Sequence, residues 1–596
     1  MRSRLTIASA LVVAGLLAAA TPAQCADMTK TLRVALPVAE TGFDPQVTSD
    51  IYSSAIIAAI VDPLYVYDYF ARPVRMVPNT AAALPEVTDE GRTYTIRIRP
   101  GIYFATDPAF KGKRRELTAA DYVYSIKRIF DPKVRSYWVY VFEGNLVGLD
   151  DVLPAARRSG ELDYDAKIDG LQALDRYTLR IRFKRPNYGF DWWLTTVYFA
   201  AVAREVVDAY KDSSNRVMEN PVGTGPFRLK SWTRGQHIVL EANPDYRDVT
   251  FPAPGAGSTA ADAAIAKGLV GRKLPLVGTV DVSIIEEAQP RLLSFDSGDI
   301  DYMEVPQSLA SRVLDGAVLR PEFAQRGVTL QRELTPSIAM FYFNLEDPLV
   351  GGYTPEKLAL RRAISMGFDR QTAIAQLQDG QALVANQPVP PPLYGHDPKY
   401  VAPYGYDPRA ARALLDRFGY KDRDGDGFRE LPDGKPLTLV LASTTDNAAR
   451  ARDELWKRNM DALGIRVTFL KNKWPELNRM SEAGQLMMWG FGWTSNVPEG
   501  IDFYSYFYSR NIGTSNDARM RLPAFDALYE KSRTLPHSPA RTALFNEMND
   551  LIFNYAPWIM SSYPYESVVA QPWLKGLKLN TYVQQQWRYL DVGPRP

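Results

Sequence analysis

The chain has 596 residues, of which 46% are hydrophobic and 23% are charged, so it has the composition of a folded protein and the length of several domains. Its 70 basic and 68 acidic residues nearly cancel, which excludes the basic footprint that a nucleic-acid-binding protein needs. The single cysteine, Cys25, excludes both an internal disulfide and a cluster of thiolate metal ligands.

The first segment has the pattern of a secretory signal peptide. Arg2 and Arg4 precede an apolar run over residues 5–20, and small residues continue to Ala26. The run is short for a membrane-spanning helix and lacks stop-transfer flanks. We therefore interpret residues 1–26 as a cleavable signal peptide and expect a periplasmic mature chain. Removing the two arginines leaves equal numbers of basic and acidic residues.

Strand and helix patterns are mixed along the rest of the chain. Apolar residues alternate at 93–99 and again at 465–469, which predicts strands. Capping residues followed by apolar stripes predict helices that begin after Thr118, Thr354 and Asp407. A mixture without strict alternation favours an α/β arrangement over a barrel or a helical bundle.

A β-hairpin is predicted in the middle of the chain, where NPVGTGPFRLKSW (220–232) is followed by GQHIVLEANPDYR (235–247). This string resembles the signature of the extracytoplasmic solute-binding proteins of ABC importers, in the oligopeptide/dipeptide/nickel-binding family (family 5). Other segments resemble that family in its own order, namely 32–45, 84–104, 117–129, 343–348, 360–370 and 406–420.

The resemblance implies an α/β fold with two lobes, of the periplasmic-binding-protein-like class II type, with an additional third domain and a hinge-bending cleft. Lobe I is expected to be built from three parts of the chain, and residues 251–278, rich in Gly, Ala and Pro, are expected to form an exposed insertion in it. The expected boundaries are 27–75, 221–335 and 561–596 for lobe I, 76–220 for the extra domain, and 336–560 for lobe II.

The resemblance also implies a function. A receptor of this kind captures peptides or peptide-like solutes between its lobes and delivers them to a membrane permease served by a cytoplasmic ATPase. We expect a monomer without catalysis and without a cofactor. Two alternatives stay open: a non-peptide solute such as an oligosaccharide, an opine-like compound or a metal chelate, and an exported glycan hydrolase, whose pair of carboxylates leaves no sequence motif.

The segment MMWGFGWTSNVPEGIDFYSYFYS (487–509) is similar to the family's ligand-contact region, where an aspartate commonly pairs with the α-ammonium of a bound peptide. Asn496 stands at the best-aligned position, so a carboxylate for the ammonium has to come from Glu499 or Asp502. Trp493 supplies an apolar wall and an N–H donor. The candidate ligand residues of this segment are Trp493, Thr494, Ser495, Asn496, Glu499 and Asp502.

Two weaker groups complete the candidate ligand residues. One follows the first predicted strand, where the family's loop faces the cleft, and the other precedes the helices of lobe II. Gly42 permits close approach of the backbone to a ligand. These residues are Thr41, Gly42, Phe43, Tyr342 and Asn344.

A candidate metal site is predicted from residues outside the segments that resemble the family's ligand-contact regions. Asp422, Asp424 and Asp426 precede Gly427 in the D-x-D-x-D-G pattern of a calcium loop. The twelfth position is Asp433, where such loops carry a bidentate glutamate. A plain acidic surface turn is the alternative interpretation.

Overall fold

The structure is a computed structural model that describes residues 27–582 and 585–595. The predicted signal peptide, residues 1–26, lies outside the described residues. Within the described ranges, no helix combines the length and the apolar character needed to cross a bilayer.

A twelve-stranded mixed sheet runs through both lobes. Ten of its strands form one continuous path, and two more pair with the long strand Trp558–Ala570, namely Thr329–Leu334 and Ala382–Val384. The path runs in the order Arg466–Lys471, Thr438–Ser443, Met488–Thr494, Ser337–Phe343, Trp558–Ala570, Tyr302–Glu304, Asp27–Leu36, Val277–Ile284, His237–Ala242 and Phe227–Thr233.

Smaller sheets lie outside this path. The predicted extra domain holds a four-stranded antiparallel sheet, in the order Glu86–Thr88, Thr93–Arg97, Thr178–Arg182 and Leu171–Asp175. Three two-stranded pairs are Tyr65–Tyr67 with Met76–Pro78, Leu314–Asp315 with Val318–Leu319, and Leu574–Lys575 with Asp591–Val592.

The predicted helices are present, and Thr118 and Asp407 cap theirs, while Thr354 stands at the N-cap position without a side-chain capping hydrogen bond. Asp407 Oδ1 accepts hydrogen bonds from the backbone N–H groups of Arg409 and Ala410 at 3.0 and 2.9 Å. The helices of seven or more residues are Ile51–Ile60, Ala119–Ile129, Leu149–Ser159, Arg204–Tyr210, Ala260–Ala266, Ala288–Asp296, Pro355–Gly367, Arg370–Leu377, Pro408–Arg417, Asn447–Asp461, Trp474–Glu482, Pro523–Arg533 and Pro539–Tyr555. Shorter helices are Phe190–Trp193, Ala310–Val313, Pro321–Ala324 and Ile501–Ser505.

The strand Trp558–Ala570 belongs to both halves of the large sheet. Its first residues pair with Ser337–Phe343, and its last residues pair with Thr329–Leu334. Where the partner changes, Thr335 donates from its backbone N and from Oγ1 to the carbonyl of Pro564, at 2.9 and 3.0 Å. The two chain segments that join the lobes therefore lie side by side. We call residues 335–336 and 563–564 the hinge.

Two large apolar clusters lie on the two halves of the sheet, and the second also takes in residues of the predicted lobe I such as Tyr69 and Phe251. Val280 and Leu240 are fully buried in lobe I, and Leu360 and Trp456 are fully buried in lobe II. Trp489, on the strand Met488–Thr494, is a core residue with 1% of its surface exposed. Burial of apolar area at about 25 cal/mol per Å² is what holds each lobe together as a rigid unit around the hinge.

Residues 251–278 differ from the expectation of an exposed insertion. Phe251, Leu269 and Leu274 are each 1% exposed, and the ring of Phe251 packs against Tyr69 and Tyr589. The prediction is wrong at both ends of the segment, because a few large apolar side chains anchor it although Gly, Ala and Pro dominate its composition. Only the middle of the segment is mainly exposed.

Candidate functional site

A cavity of about 390 Å³ lies at the hinge, a volume within the usual range of small-ligand sites. We call it the hinge cavity. Because its walls come from both lobes, hinge motion changes its size. Its lining includes Thr335, Pro336, Ser337, Pro564, Tyr565, Glu566 and Ser567 around the hinge, Glu304, Val305 and Tyr582 from the predicted lobe I, and Thr494, Ser495 and Asn496 from lobe II.

The turn after the strand Met488–Thr494 supplies the lobe II wall. Antiparallel pairing with Ser337–Phe343 brings the end of this strand to the hinge, where the hydroxyls of Thr494 and Ser337 are 2.8 Å apart. Ser495 donates from its backbone N to Pro336 O at 2.9 Å, which fixes the turn to the hinge. Asn496 is exposed in the lining, and its side-chain amide has no hydrogen bond among the described residues.

Trp493 lies directly before this turn and is half-buried. Its ring stacks on Tyr506, with 4.5 Å between the ring centroids and 17° between the planes. Its Nε1–H is buried and has no partner within the part of the chain that the structure describes. Buried indole N–H groups normally have an acceptor, so this donor is suited to a solute in the cleft.

Glu499 has protein partners for its carboxylate. Arg541 Nη1 donates to Glu499 Oε2 at 3.1 Å, and His537 Nε2 lies 2.7 Å from the same oxygen. Burial opposes ionisation, yet the hydrogen bond from His537 and the charge of Arg541 hold the pKa of Glu499 below its usual value. The carboxylate is therefore already neutralised and holds elements of lobe II together.

Asp502 has a different environment. Its carboxylate has no ion pair or hydrogen bond among the described residues, and burial together with the charge of Glu499 raises its pKa to about 7. Of the two predicted carboxylates, Asp502 is the one without a protein partner. The structure brings Thr494, Ser495 and Asn496 into the hinge cavity, while Trp493, Glu499 and Asp502 lie outside its lining.

Glu499 also marks a contact between lobe II and the predicted extra domain. A Cβ atom on Gly189 would lie 3.0 Å from Glu499 Oε2, so the side chain of Glu499 lies close to the backbone of Gly189. Gly189 has φ +92°, which favours glycine. Nearby Asp191 is ionisable, and burial raises its pKa.

The weaker candidates lie away from the hinge cavity. Phe43 is fully buried and contacts Trp232 edge to face, at 4.8 Å between ring centroids. Thr41 is exposed, and its hydroxyl donates to Asp50 at 2.8 Å. Gly42 has φ +143°, and a Cβ there would collide with the side chain of Met218, so packing explains this glycine without a ligand.

Tyr342 and Asn344 hold lobe II together internally. Tyr342 is 1% exposed, and its hydroxyl is 2.7 Å from Ser481 Oγ. Asn344 donates from Nδ2 to the carbonyls of Gly484 and Leu486 at 2.9 and 3.2 Å. Neither side chain reaches the lining of the hinge cavity.

The predicted calcium loop brings its three aspartates together on the surface. One carboxylate oxygen from each of Asp422, Asp424 and Asp426 lies within 4.8 Å of the others. Asp422 accepts hydrogen bonds from the backbone N–H groups of Gly425 and Gly427, and Asp426 forms an ion pair with Arg466. These internal partners are those of an acidic surface turn.

The sequence pattern of one known family, described as bacterial extracellular solute-binding proteins, family 5 (Middle), matches residues 75–515. That range covers most of the chain and includes the lobe II turn of the hinge cavity, residues 494–496. The chain belongs to this family. Its members are binding proteins, so this family 5 protein is a receptor and not an enzyme, and the glycan-hydrolase alternative is not supported.

Individual relatives cover nearly the whole family 5 chain. Heme-binding protein A of Haemophilus influenzae is 25% identical over 513 residues, 85% of this chain and 81% of that protein. Di/tripeptide-binding protein 2 of Pseudomonas aeruginosa is 25% identical over 575 residues, 92% of each. The periplasmic binding protein DppA from Helicobacter pylori, solved with the peptide STSA, superposes with a TM-score of 0.69 at 20% identity, covering 94% of this chain and 98% of that one. The two-lobed fold is confirmed.

Sequence reasoning missed the acidic part of the family 5 cavity. Glu304, Glu566, Ser567 and Tyr582 line it, and none of them belongs to a motif that the sequence analysis used. A signal was nevertheless present, because Glu566 is a charged residue inside the largely buried strand Trp558–Ala570. A charge at such a position is costly unless something pairs with it.

Proposed function

We propose that this chain is the periplasmic receptor of an ABC importer and that it captures peptides or peptide-like solutes in the hinge cavity. The observation that carries the proposal is that the cavity takes its walls from both lobes at the hinge, where the strand Trp558–Ala570 passes from one half of the sheet to the other. Closure encloses the solute, because a ligand that contacts both lobes stabilises the closed state over the open state.

Peptide binding is supported by the chemistry of the lobe II wall. Asn496 and Thr494 offer donors and acceptors without charge, which suits the backbone groups of an extended peptide. Two of the similar proteins carry peptides in their names or titles, a di/tripeptide-binding protein and a complex with STSA.

A non-peptide solute is the second candidate, and one observation favours it. The position that commonly supplies an aspartate for a peptide ammonium holds the neutral Asn496, whose amide is exposed in the cavity. A similar protein is named for heme binding. The same scaffold would then hold an oligosaccharide, an opine-like compound or a metal chelate.

Location and partners complete the proposal. Residues 1–26 would direct export and be removed, leaving a neutral monomer in the periplasm. The closed, loaded form would dock on a membrane permease with a cytoplasmic ATPase. Light scattering of the secreted protein and sequencing of its mature N-terminus test the monomer and the cleavage site.

Thermal unfolding with candidate solutes tests the choice between peptide and non-peptide ligands. A ligand at 100 times its Kd stabilises the fold by about 2.7 kcal/mol, so an increase in Tm identifies it. We expect tripeptide mixtures to raise Tm, and maltotriose, hemin and ferric EDTA to leave it unchanged. The reverse result would establish the non-peptide alternative.

A pair of tryptophan variants tests whether the solute lies beside the lobe II turn. W493A should weaken binding of any peptide that raises Tm, because it removes the apolar wall and the free donor. W474A is the matched control, since Trp474 is 54% exposed on the same lobe. Equal affinity of W493A and the parent protein would contradict this placement.

A further inference from the structure

Two glutamates stand side by side on the lobe I wall of the hinge cavity. Glu304 ends the strand Tyr302–Glu304, where it lies opposite Val568 of the long strand Trp558–Ala570. Glu566 is two residues from Val568, so both carboxylates project from the same face of the sheet. Both also line a second, smaller cavity of about 260 Å³. The pair therefore stands where the two cavities meet.

The hinge cavity has no positive charge to balance this pair. Its lining contains the two glutamates and no lysine, arginine or histidine. Among the described residues, neither carboxylate has a hydrogen bond, and neither has a lysine, arginine or histidine nitrogen within 4 Å. Arg291 lines the smaller cavity, but its Nη1 donates to the carbonyls of Ile285 and Glu286 at 2.7 and 2.8 Å.

A neighbouring glutamate, Glu333, differs from this pair because it has cationic partners within the protein. Glu333 lies directly opposite Glu566 in the sheet. Its carboxylate is 3.1 Å from Arg72 Nη2 and 3.8 Å from Lys578 Nζ. The absence of partners around Glu304 and Glu566 is therefore a local property of the cavity wall and not of this sheet region.

Two further polar groups of the same lining lack partners. Tyr582 Oη and Ser567 Oγ belong to residues that are 6% exposed, and neither oxygen has a hydrogen bond among the described residues. An ammonium or guanidinium group carries three or five N–H donors and needs several acceptors when it leaves water. Two carboxylates and two oxygens in one lining provide that set.

The protonation of the pair agrees with this assignment. Glu304 is exposed at the surface of the cleft and Glu566 is half-buried. Desolvation in the cleft and the repulsion from Glu304 and Glu333 raise the pKa of Glu566 to about 8. Desolvation also raises the pKa of Glu304, against the opposing charge of Arg291. The ligand-free pair thus holds on to a proton near neutral pH, because Arg291 offsets only part of these effects.

We propose that Glu304 and Glu566 form a subsite for a basic side chain of the bound solute, so that the receptor selects peptides that contain lysine or arginine. This inference rests on the proposed peptide-binding function. The cation supplies the charge that the cavity wall lacks, and Tyr582 and Ser567 accept its remaining hydrogen bonds.

Calorimetric titration with matched tripeptides tests the proposal. The set places lysine, arginine or the uncharged, similarly sized norleucine at each position of Ala-Ala-Ala, with each peptide free and N-acetylated. We expect the best lysine or arginine peptide to bind about tenfold or more tightly than its norleucine counterpart, with or without the acetyl group. Equal affinities for lysine and norleucine would overturn the subsite and leave peptide binding intact.

The N-acetylated peptides distinguish between the two cationic groups of a peptide, its amino terminus and its basic side chain. If acetylation abolishes the preference and the side chain does not matter, the pair binds the amino terminus and the side-chain subsite is overturned. If no peptide of the set binds, the proposed peptide function fails and the subsite fails with it.

Variants tie the preference to the two residues. E304Q/E566Q should reduce the affinity for the lysine peptide to that for the norleucine peptide while leaving the norleucine peptide unchanged. E333Q is the matched control and should keep the preference, because Glu333 already has protein partners. The ligand-free double variant should melt no lower than the parent, since it loses only like-charge repulsion. An equal loss of affinity for all peptides would overturn the proposal.

Discussion

Two acidic residues on opposite sides of the hinge, Glu499 and Glu566, have opposite environments. In lobe II, Glu499 lies 3.1 Å from Arg541 and 2.7 Å from His537, and its pKa lies below the usual value. On the lobe I wall, Glu566 has no cation within 4 Å among the described residues, and its pKa is raised to about 8. Glu499 is buried and Glu566 is half-buried.

The difference separates a structural acid from one suited to a ligand. A carboxylate that the protein already neutralises offers little to an incoming ammonium, because binding would have to break an existing pair. A carboxylate without a partner keeps a proton instead, at a cost in stability that a bound cation can offset. Proximity to the cleft alone therefore does not identify a binding residue. A binding residue is identified by whether its carboxylate already has a protein partner.

The largest effect is expected when Glu499 loses its arginine partner. R541M leaves Glu499, which is 4% exposed, without its arginine, and breaking one partner of a buried pair costs about 3–5 kcal/mol. The loss should appear as a lower free energy of unfolding in urea, measured at pH 7 without ligand.

The double variant E499Q/R541M is the control for this loss. It removes the charge that R541M leaves uncompensated, so it should recover a large part of the stability. If the double variant is as unstable as R541M, the loss comes from packing of the arginine, and the ion pair is not what stabilises this wall.

The second effect is a dependence of the free energy of unfolding on pH, caused by Glu566, whose carboxylate has no cation partner. The pKa of Glu566 is higher in the folded state than its usual 4.5, so the folded protein binds the proton more tightly than the unfolded chain. The free energy of unfolding should therefore fall as pH rises from about 5 to about 8. E566Q should remove part of this fall, about 1–2 kcal/mol, since water in the cleft weakens the full effect.

Urea unfolding of both proteins at pH 5 and pH 8 measures the difference. Some dependence should remain in E566Q, because burial raises the pKa of Asp502 to about 7 and that of Asp517 to about 6. The same pH dependence in both proteins would show that Glu566 is not the group that holds the proton.

The local elements could be predicted from the residues themselves, whereas the two-lobed fold came from the family resemblance and the candidate ligand residues of lobe II remain a prediction. Caps such as Asp407, the alternation at 465–469 and the hairpin after Gly225 are local patterns, and local patterns survive folding unchanged. The acidic wall could not be found this way, because Glu304 and Glu566 are 262 positions apart and meet only through the pairing of two strands. Nor could the sequence show that Arg541 forms an ion pair with Glu499, since the partners of an ion pair follow no fixed spacing along the chain.

A smaller effect should follow from adding an acid to the lobe II wall of the cavity. N496D places an unpaired carboxylate at the position where the family commonly has one. It should improve the affinity for tripeptides with a free amino terminus about fivefold relative to their N-acetylated forms, a gain typical of one charge-assisted hydrogen bond. Calorimetric titration measures the ratio, and N496Q, which keeps the charge unchanged, should leave it as in the parent. Equal gains for free and acetylated peptides would contradict ammonium recognition.

The smallest effect is expected at the surface turn, where the same distinction between paired and unpaired acids applies. Asp426 already has a cation in Arg466, and Asp422 accepts two backbone N–H groups, so the turn is satisfied as it is. Calcium in the millimolar range should leave the Tm of the parent unchanged, whereas R466Q, which frees Asp426, should respond more strongly. A clear increase in the parent's Tm would instead mean that the ion displaces Arg466. Pairing in the folded state would then be a poor guide to binding, and the assignment of Glu499 as a purely structural acid would have to be reconsidered along with it.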